Sequence, residues 1–315
     1  MEQSTDNAMS SVFSSLRGTL FTLSDRIRGQ LTPPAVGGGG AFLLATLLAL
    51  ASQPLLAGAA DPVALKPDTA AAFDHYVKLT EARNAEELQN GTNLLWIDGL
   101  QDSERTEAYV ALKHGEVKMR KLETRENGER IRCPGGMIHH WAGVAFIPGA
   151  KLQGVLQVLQ DYEHHAQYYA PDVERSKIES RDGDHFLVFL RFRRHKVITV
   201  VLNTEHDVHY FRDTDTRGHS RSSAVHIAEV ENPGKSNERE KLPSEDGGFL
   251  WRMETWWRIE ERDGGVFVQS EVASLTRDIP TGLGWLIGPF VTSIPKETLT
   301  FTLEATRKAV ERLRQ

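Results

Sequence analysis

Twelve histidines are the side chains of this 315-residue chain best suited to chemistry, and several lie close together. His139-His140, His164-His165 and His206-Asp207-Val208-His209 each place two imidazoles within a few residues, as a metal centre requires. Their spacing argues against it. Successive side chains of a strand point to opposite faces, so His139 and His140 diverge, as do His206 and His209 three positions apart. The helical zinc motif, two histidines four residues apart with a glutamate between them, is absent. No metal and no cofactor is expected. No Gly-x-Ser-x-Gly elbow occurs, and a single cysteine, Cys133 in a turn before Pro134, excludes an internal disulfide and a Cys-x-x-Cys redox pair. Gly282-Leu283-Gly284 lacks a third glycine in register and a preceding parallel βα unit, so it does not bind a dinucleotide. With 37 basic against 43 acidic residues and a net charge of −6, the chain is too acidic for a general nucleic-acid binder.

The elements that would position any site follow from periodicity. Residues 61–135 read as an extension: a helix from Pro67 to about Leu88, with Phe73, Tyr76, Val77 and Thr80 on one stripe, then a hairpin of Glu116–Glu123 and Glu129–Cys133 around Asn127-Gly128. From Gly136 the pattern is regular. A strand over Met137–Ile147 precedes a helix over Ala150–Asp161 and a shorter one over Tyr162–Ala170. Six strands then follow: Val173–Arg181, Asp184–Arg194, Val197–Arg212, Arg217–Val230, Phe249–Arg262 and Val266–Ile279, before a terminal helix over Pro289–Gln315. Short turns force neighbouring strands antiparallel, and a meander of this length curls. The last helix, about 37 Å long at ~1.5 Å per residue, is long enough to cover the concave face, and the gap between helix and sheet is a cavity.

At this point residues 136–315 resemble the START/SRPBCC superfamily, through Ile138–Gly149 (IHHWAGVAFIPG), Leu159–Pro171 (LQDYEHHAQYYAP), Phe249–Arg258 (FLWRMETWWR), Val266–Leu286 (VFVQSEVASLTRDIPTGLGWL) and the order of elements. The resemblance implies an α+β helix-grip fold: a seven-stranded curved antiparallel sheet around a long C-terminal helix, here carrying an N-terminal extension. It implies a hydrophobic ligand between sheet and helix and no particular reaction.

Alternation then selects wall residues. Phe249, Trp251, Met253, Thr255, Trp257 and Ile259 form the apolar face of the sixth strand, and Phe186, Val188, Leu190 and Phe192 one face of the third. On the fifth, Ser220, Ser222, Ala224, His226 and Ala228 are small and weakly polar, leaving room for ligand. On the seventh either Val266, Val268, Ser270 and Val272 or Phe267, Gln269, Glu271 and Ala273 face inward. Arg221 and Glu271 are candidate polar anchors, and Gly282, Gly284, Trp285 and Gly288 a lid at the mouth.

Residues 1–60 read as an address. Leu31 to Ala60 carries no charge, and Ala41–Ala51 is an apolar run of eleven followed by Pro54 and Ala57-Gly58-Ala59. Eleven residues at ~1.5 Å each do not cross a ~30 Å hydrocarbon core, which favours a cleaved secretory signal. An anchor through residues 36–56 is the alternative. The expectation is an exported carrier, periplasmic or extracellular, whose partner is a lipid or other hydrophobic small molecule. An aromatase/cyclase-like enzyme using Arg221 is the rival, and transient membrane contact through an exposed Trp256 and residues 284–291 a third reading.

Overall fold

The computed structural model describes residues 63–91, 93–195, 199–279 and 284–314, with the backbone alone for 284–292. The apolar run at 41–51 and Gly282 lie outside the described residues. The chain order is α1 (Pro67–Asn90), a 3-10 turn at Trp96–Gly99, α2 (Asp102–Lys113), β1 (Lys118–Lys121), β2 (Arg125–Glu126), β3 (Glu129–Arg130) and β4 (Gly136–Pro148). Next come α3 (Leu152–Gln160), a 3-10 turn at Tyr162–His164, α4 (His165–Tyr168), β5 (Val173–Asp182), β6 (His185–His195), β7 (Thr199–Arg212) and β8 (Arg217–Glu231). β9 (Arg239–Glu240), β10 (Arg252–Arg262), β11 (Gly265–Arg277) and α5 (Gly284–Leu313) complete it. Among the described residues no helix is long and apolar enough to cross a membrane.

Eight of the strands form an antiparallel sheet in the order β1-β4-β11-β10-β8-β7-β6-β5, β9 pairs with β8 off this path, and β2 and β3 pair separately. β5, β6, β7, β8, β10 and β11 form a meander, and β4 pairs with β11 along its whole length. Turn chemistry sets the register. Asp263-Gly264, between the paired Arg262 and Gly265, has both residues at positive φ (57° and 76°), the type I′ geometry whose twist matches the flanking strands. On β8 the pairing steps from Ala224 opposite His206 to His226 opposite Glu205, so Val225 is an extra, bulged residue. The bulge puts His226 and Ala228 on the face of Glu205 and Asn203, away from the helix, which corrects the simple alternation expected for that strand.

α5 lies along β4 and against α3 and α4, gripping the concave face. It begins at Gly284, five residues before the expected Pro289, so Gly284, Trp285 and Gly288 belong to its first turns and not to a loop. Gly143 on β4 is the point of closest approach: a Cβ there would sit 2.5 Å from Leu303 Cδ1 of α5 and 2.6 Å from Met119 Sδ of β1.

The extension covers the opposite face. α1 buries Thr69, Phe73, Tyr76, Val77, Thr80 and Asn84, and its aromatic stripe packs on Trp251, Trp256, Ala273 and Leu275. Leu95, Ile97, Ala108 and Leu112 pack on Val144, Phe146 and Phe267. α2 was not anticipated because only Ala108 and Leu112 of its twelve residues are buried, too few to make an apolar stripe. The expected hairpin before Cys133 shrinks to the two-residue strands β2 and β3, because Lys118–Lys121 pairs with β4 and extends the main sheet. Phe73 is 1% exposed at the centre of this layer. Phe73→Ala is expected to cost about 3–5 kcal/mol, read as a shift in the denaturant midpoint; a loss well under 1 kcal/mol would show the extension to be a detachable appendage.

Candidate functional site

Between the concave face and α5 the wall changes character along the strands. At one end Phe186, Val188, Val208, Ile259, Val266 and Val268 are at most 3% exposed and pack with α3 and the second half of α5. Polar groups there are satisfied: the Tyr210 hydroxyl donates to the Leu159 carbonyl (2.8 Å) and meets the Tyr162 hydroxyl at 2.7 Å. Toward the other end Trp141, Leu190, Ser222, Ala224, Met253, Thr255, Trp257 and Val272 lie on the same face but are only half-buried. The tightly packed core therefore gives way to an inward-facing wall of half-buried residues.

The transition occurs at Trp257, whose cross-strand neighbours are Ser220 and Ser270. Both serines are almost wholly buried, and neither hydroxyl has a hydrogen-bond partner. An unpaired buried hydroxyl costs about 1–3 kcal/mol, and two of them flank this one apolar ring. His206 continues this polar row, 2.9 Å from Thr204 Oγ1 and 3.4 Å from Ser222 Oγ. Burial pushes its pKa down to about 4, and burial likewise pushes His139 and His165 down to about 4. These imidazoles are neutral at physiological pH.

Two cations among the described residues lie beside this wall. Arg194 bonds Asp172 (2.8 Å) and Thr298 of α5, and Lys296, on the same turn of that helix, lies 5.9 Å from the Trp141 ring centroid.

The two expected anchors are elsewhere. Arg221 faces α1, paired with Glu81 (2.5 Å) and more distantly with Glu254 (3.9 Å). Glu271 is buried on that same outer face. His140 Nε2 bonds its carboxylate at 2.8 Å, Arg83 pairs with it, and the Tyr76 hydroxyl meets His140 Nδ1 at 2.7 Å. Burial alone would raise the Glu271 pKa; the His140 hydrogen bond and the Arg83 charge outweigh it and hold the carboxyl below the usual range. Arg258 joins this layer through Asn84 (2.7 Å), Glu87 (2.6 Å) and the Leu94 carbonyl (3.0 Å).

Phe249 and Trp251 also leave the wall: β10 begins at Arg252, so strand alternation does not reach back to them. Trp251 packs among the outer aromatics, and Phe249 lies half-buried in the preceding loop. Trp256, expected to be exposed, is buried under α1. Sequence reasoning also missed an outer-face cavity of about 180 Å³ between α1 and the β8–β10 pair, lined by Glu81, Asn84, Leu88, His219, Arg221 and Trp256.

The pKa of buried His206 sets a pH dependence. Its folded value of about 4 lies below the ordinary ~6.5, so the unfolded chain binds the proton first, and stability present above pH ~6.5 is lost as pH falls toward 4. His206→Gln, which keeps a hydrogen-bonding side chain, removes up to about 2 kcal/mol of that loss between about pH 7 and about pH 5. Thermal melts of both proteins at the two pH values check it; an unchanged difference would place His206 in contact with water.

No family model and no curated protein matches this chain. It is similar in fold to several solved structures. The STAR-related lipid transfer protein (fragment 25-204) from Xanthomonas axonopodis is 20% identical, with 62% of this chain and 99% of that one covered and a TM-score of 0.40. The Zhui aromatase/cyclase from Streptomyces sp. R1128 is 14% identical, with 57% and 97% covered and a TM-score of 0.36. A START superfamily protein from Mycobacterium smegmatis is 14% identical, with 56% and 98% covered and a TM-score of 0.34. The architecture described above is α+β, a curved antiparallel sheet gripping its C-terminal helix.

Proposed function

We propose that this protein carries or senses an amphiphile of lipid-like chemistry, held with its apolar body against the concave sheet face beneath α5, and that it acts after export. The observation that carries the reading is the inner wall itself: apolar, half-buried where Leu190, Trp257 and Val272 line it, and interrupted by the unpartnered hydroxyls of Ser220 and Ser270. A wall of this kind accepts hydrocarbon and offers a few hydrogen bonds, the usual composition of a small-molecule site. Arg194 and Lys296 beside this wall favour a ligand whose anionic or polar head stays near solvent. The uncharged Leu31–Ala60 segment, with its apolar core and small-residue tripeptide, supports export.

Affinity is bounded by burial. About ten methylenes at ~0.8 kcal/mol each give ~8 kcal/mol gross, and association costs of ~4 kcal/mol or more leave a millimolar-to-micromolar binder before any head-group contact. That range suits exchange between sites better than permanent storage.

The test is extraction and rebinding. Native mass spectrometry of the purified protein is expected to show a co-purified amphiphile, and the delipidated protein to bind a fluorescent fatty acid. Ser222→Phe, which adds a ring to the half-buried wall, is expected to weaken that binding at least about tenfold, or ~1.4 kcal/mol, with little change in thermal stability. Protein that is ligand-free on isolation and binds neither fatty acid nor lysophospholipid would overturn the proposal.

A further inference from the structure

The outer face of the β6–β7 pair holds a second constellation, separate from the wall beneath α5. His185 and His209 are directly opposite one another across the two strands, and Asp207 precedes His209 by two positions on the same face. The two imidazole rings stack with centroids 4.0 Å apart and planes 7° from parallel. Both turn Nε2 toward one oxygen of Asp207, at 3.1 Å from His185 and 2.8 Å from His209. All three ligand atoms lie within 4.8 Å of one another, and each side chain is somewhat under half exposed.

We propose that His185, Asp207 and His209 form a binding site for a divalent transition-metal ion of the Zn²⁺ class, with at least one coordination position facing solvent. The donor set carries the choice of metal. Two imidazoles and one carboxylate suit borderline ions such as Zn²⁺, Co²⁺ and Cu²⁺ and are poor for Ca²⁺ or Mg²⁺, which take oxygen ligands. The geometry needs little adjustment. Ligand atoms around a tetrahedral ion at ~2.0–2.1 Å stand roughly 3.4 Å apart, so the two Nε2–Oδ1 separations open by about 0.3 and about 0.6 Å while the stacked rings tilt to converge. Metal binding at Nε2 takes the lone pair there, so the ring proton now directed at Asp207 moves through solvent to Nδ1, and a neutral imidazole loses no proton overall.

The surroundings agree. Paired sheets hold their side-chain positions rigidly, so both histidines present their rings without an ordering cost of the kind a loop would carry. Asp182, cross-strand from His185 on β5, adds a carboxylate to the same face. Arg221, the cross-strand neighbour of His209 on β8, is the nearest cation by register, and its guanidinium is turned to Glu81 and Glu254. Phe211 stacks beside His209 and carries the row of rings to His219, which bonds Asp213 and so does not compete for the ion.

The test is Zn²⁺ titration of the full chain by calorimetry near neutral pH, after chelator treatment and dialysis. Wild type is expected to bind one Zn²⁺ per chain and to melt higher with it. His185→Ala and His209→Ala are each expected to weaken binding at least about 100-fold and Asp207→Asn about 10–100-fold, while His219→Ala leaves it unchanged. Twelve histidines offer other weak contacts, so this pattern among variants carries the assignment. Wild type lacking saturable one-to-one binding, or His185→Ala and His209→Ala binding as tightly as wild type, would overturn the site. Co²⁺ absorption gives a reading that needs no variant: an intense four- or five-coordinate visible band supports the site, and the spectrum of the hydrated ion alone sinks it.

Discussion

The ladder between β4 and β11 is the contact on which the molecule depends. It joins the strand that opens the sheet to the strand that closes the meander, with every residue from Gly265 to Arg277 paired. β4 and β11 are far apart along the chain, so a large loop-closure entropy must be overcome before any of those hydrogen bonds form. Once made, it fixes two further things. α3, leaving β4, is held beneath the sheet where α5 can pack on it, and the outer surfaces of β4, β11 and β10 become a continuous platform for α1 and α2.

That platform divides the chemistry of the protein. Charged groups drawn out of water are stable only when paired and hydrogen-bonded, and removing one member of such a set costs about 3–5 kcal/mol. The outer layer uses this mode, with Glu271, His140, Arg83, Arg258, Glu87 and Asn84 locking α1 to the sheet. Where the inner wall is half-buried it uses the other mode, with neutral imidazole and hydroxyl groups among hydrocarbon. A sheet that buries Glu271 and Arg258 in ion pairs on one side keeps a neutral stretch around Trp257, Ser220 and Ser270 on the other.

Much of the architecture was legible in the sequence because hairpin turns and strand lengths are local properties. Asp263-Gly264, the β5–β8 hairpins and the long amphipathic terminal segment all announce themselves within a few residues. What failed was alternation on a sheet covered from both sides. β11 is buried on nearly every residue, so Val266–Val268 carries no polarity signal and Glu271 could not be assigned to a face. Trp256 was misplaced for the same reason: a second apolar layer, α1, sits where solvent was expected. Alternation also tests histidines one strand at a time. It correctly separates His206 from His209, and it cannot see His185 arriving opposite His209 from the neighbouring strand. Ser222, by contrast, lies before the β8 bulge and falls where a regular strand would put it.

The bulge at Val225 carries a further implication for how this chain tolerates changes in length. Because Val225 is supernumerary, a shorter relative lacking that one position would keep every side chain of β8 on its present side and lose only the local bend. The same deletion elsewhere between Arg217 and Glu231 would turn the remainder of the strand inside out, exchanging its lining for its rind. A one-residue deletion in this strand therefore preserves both faces only at the bulge.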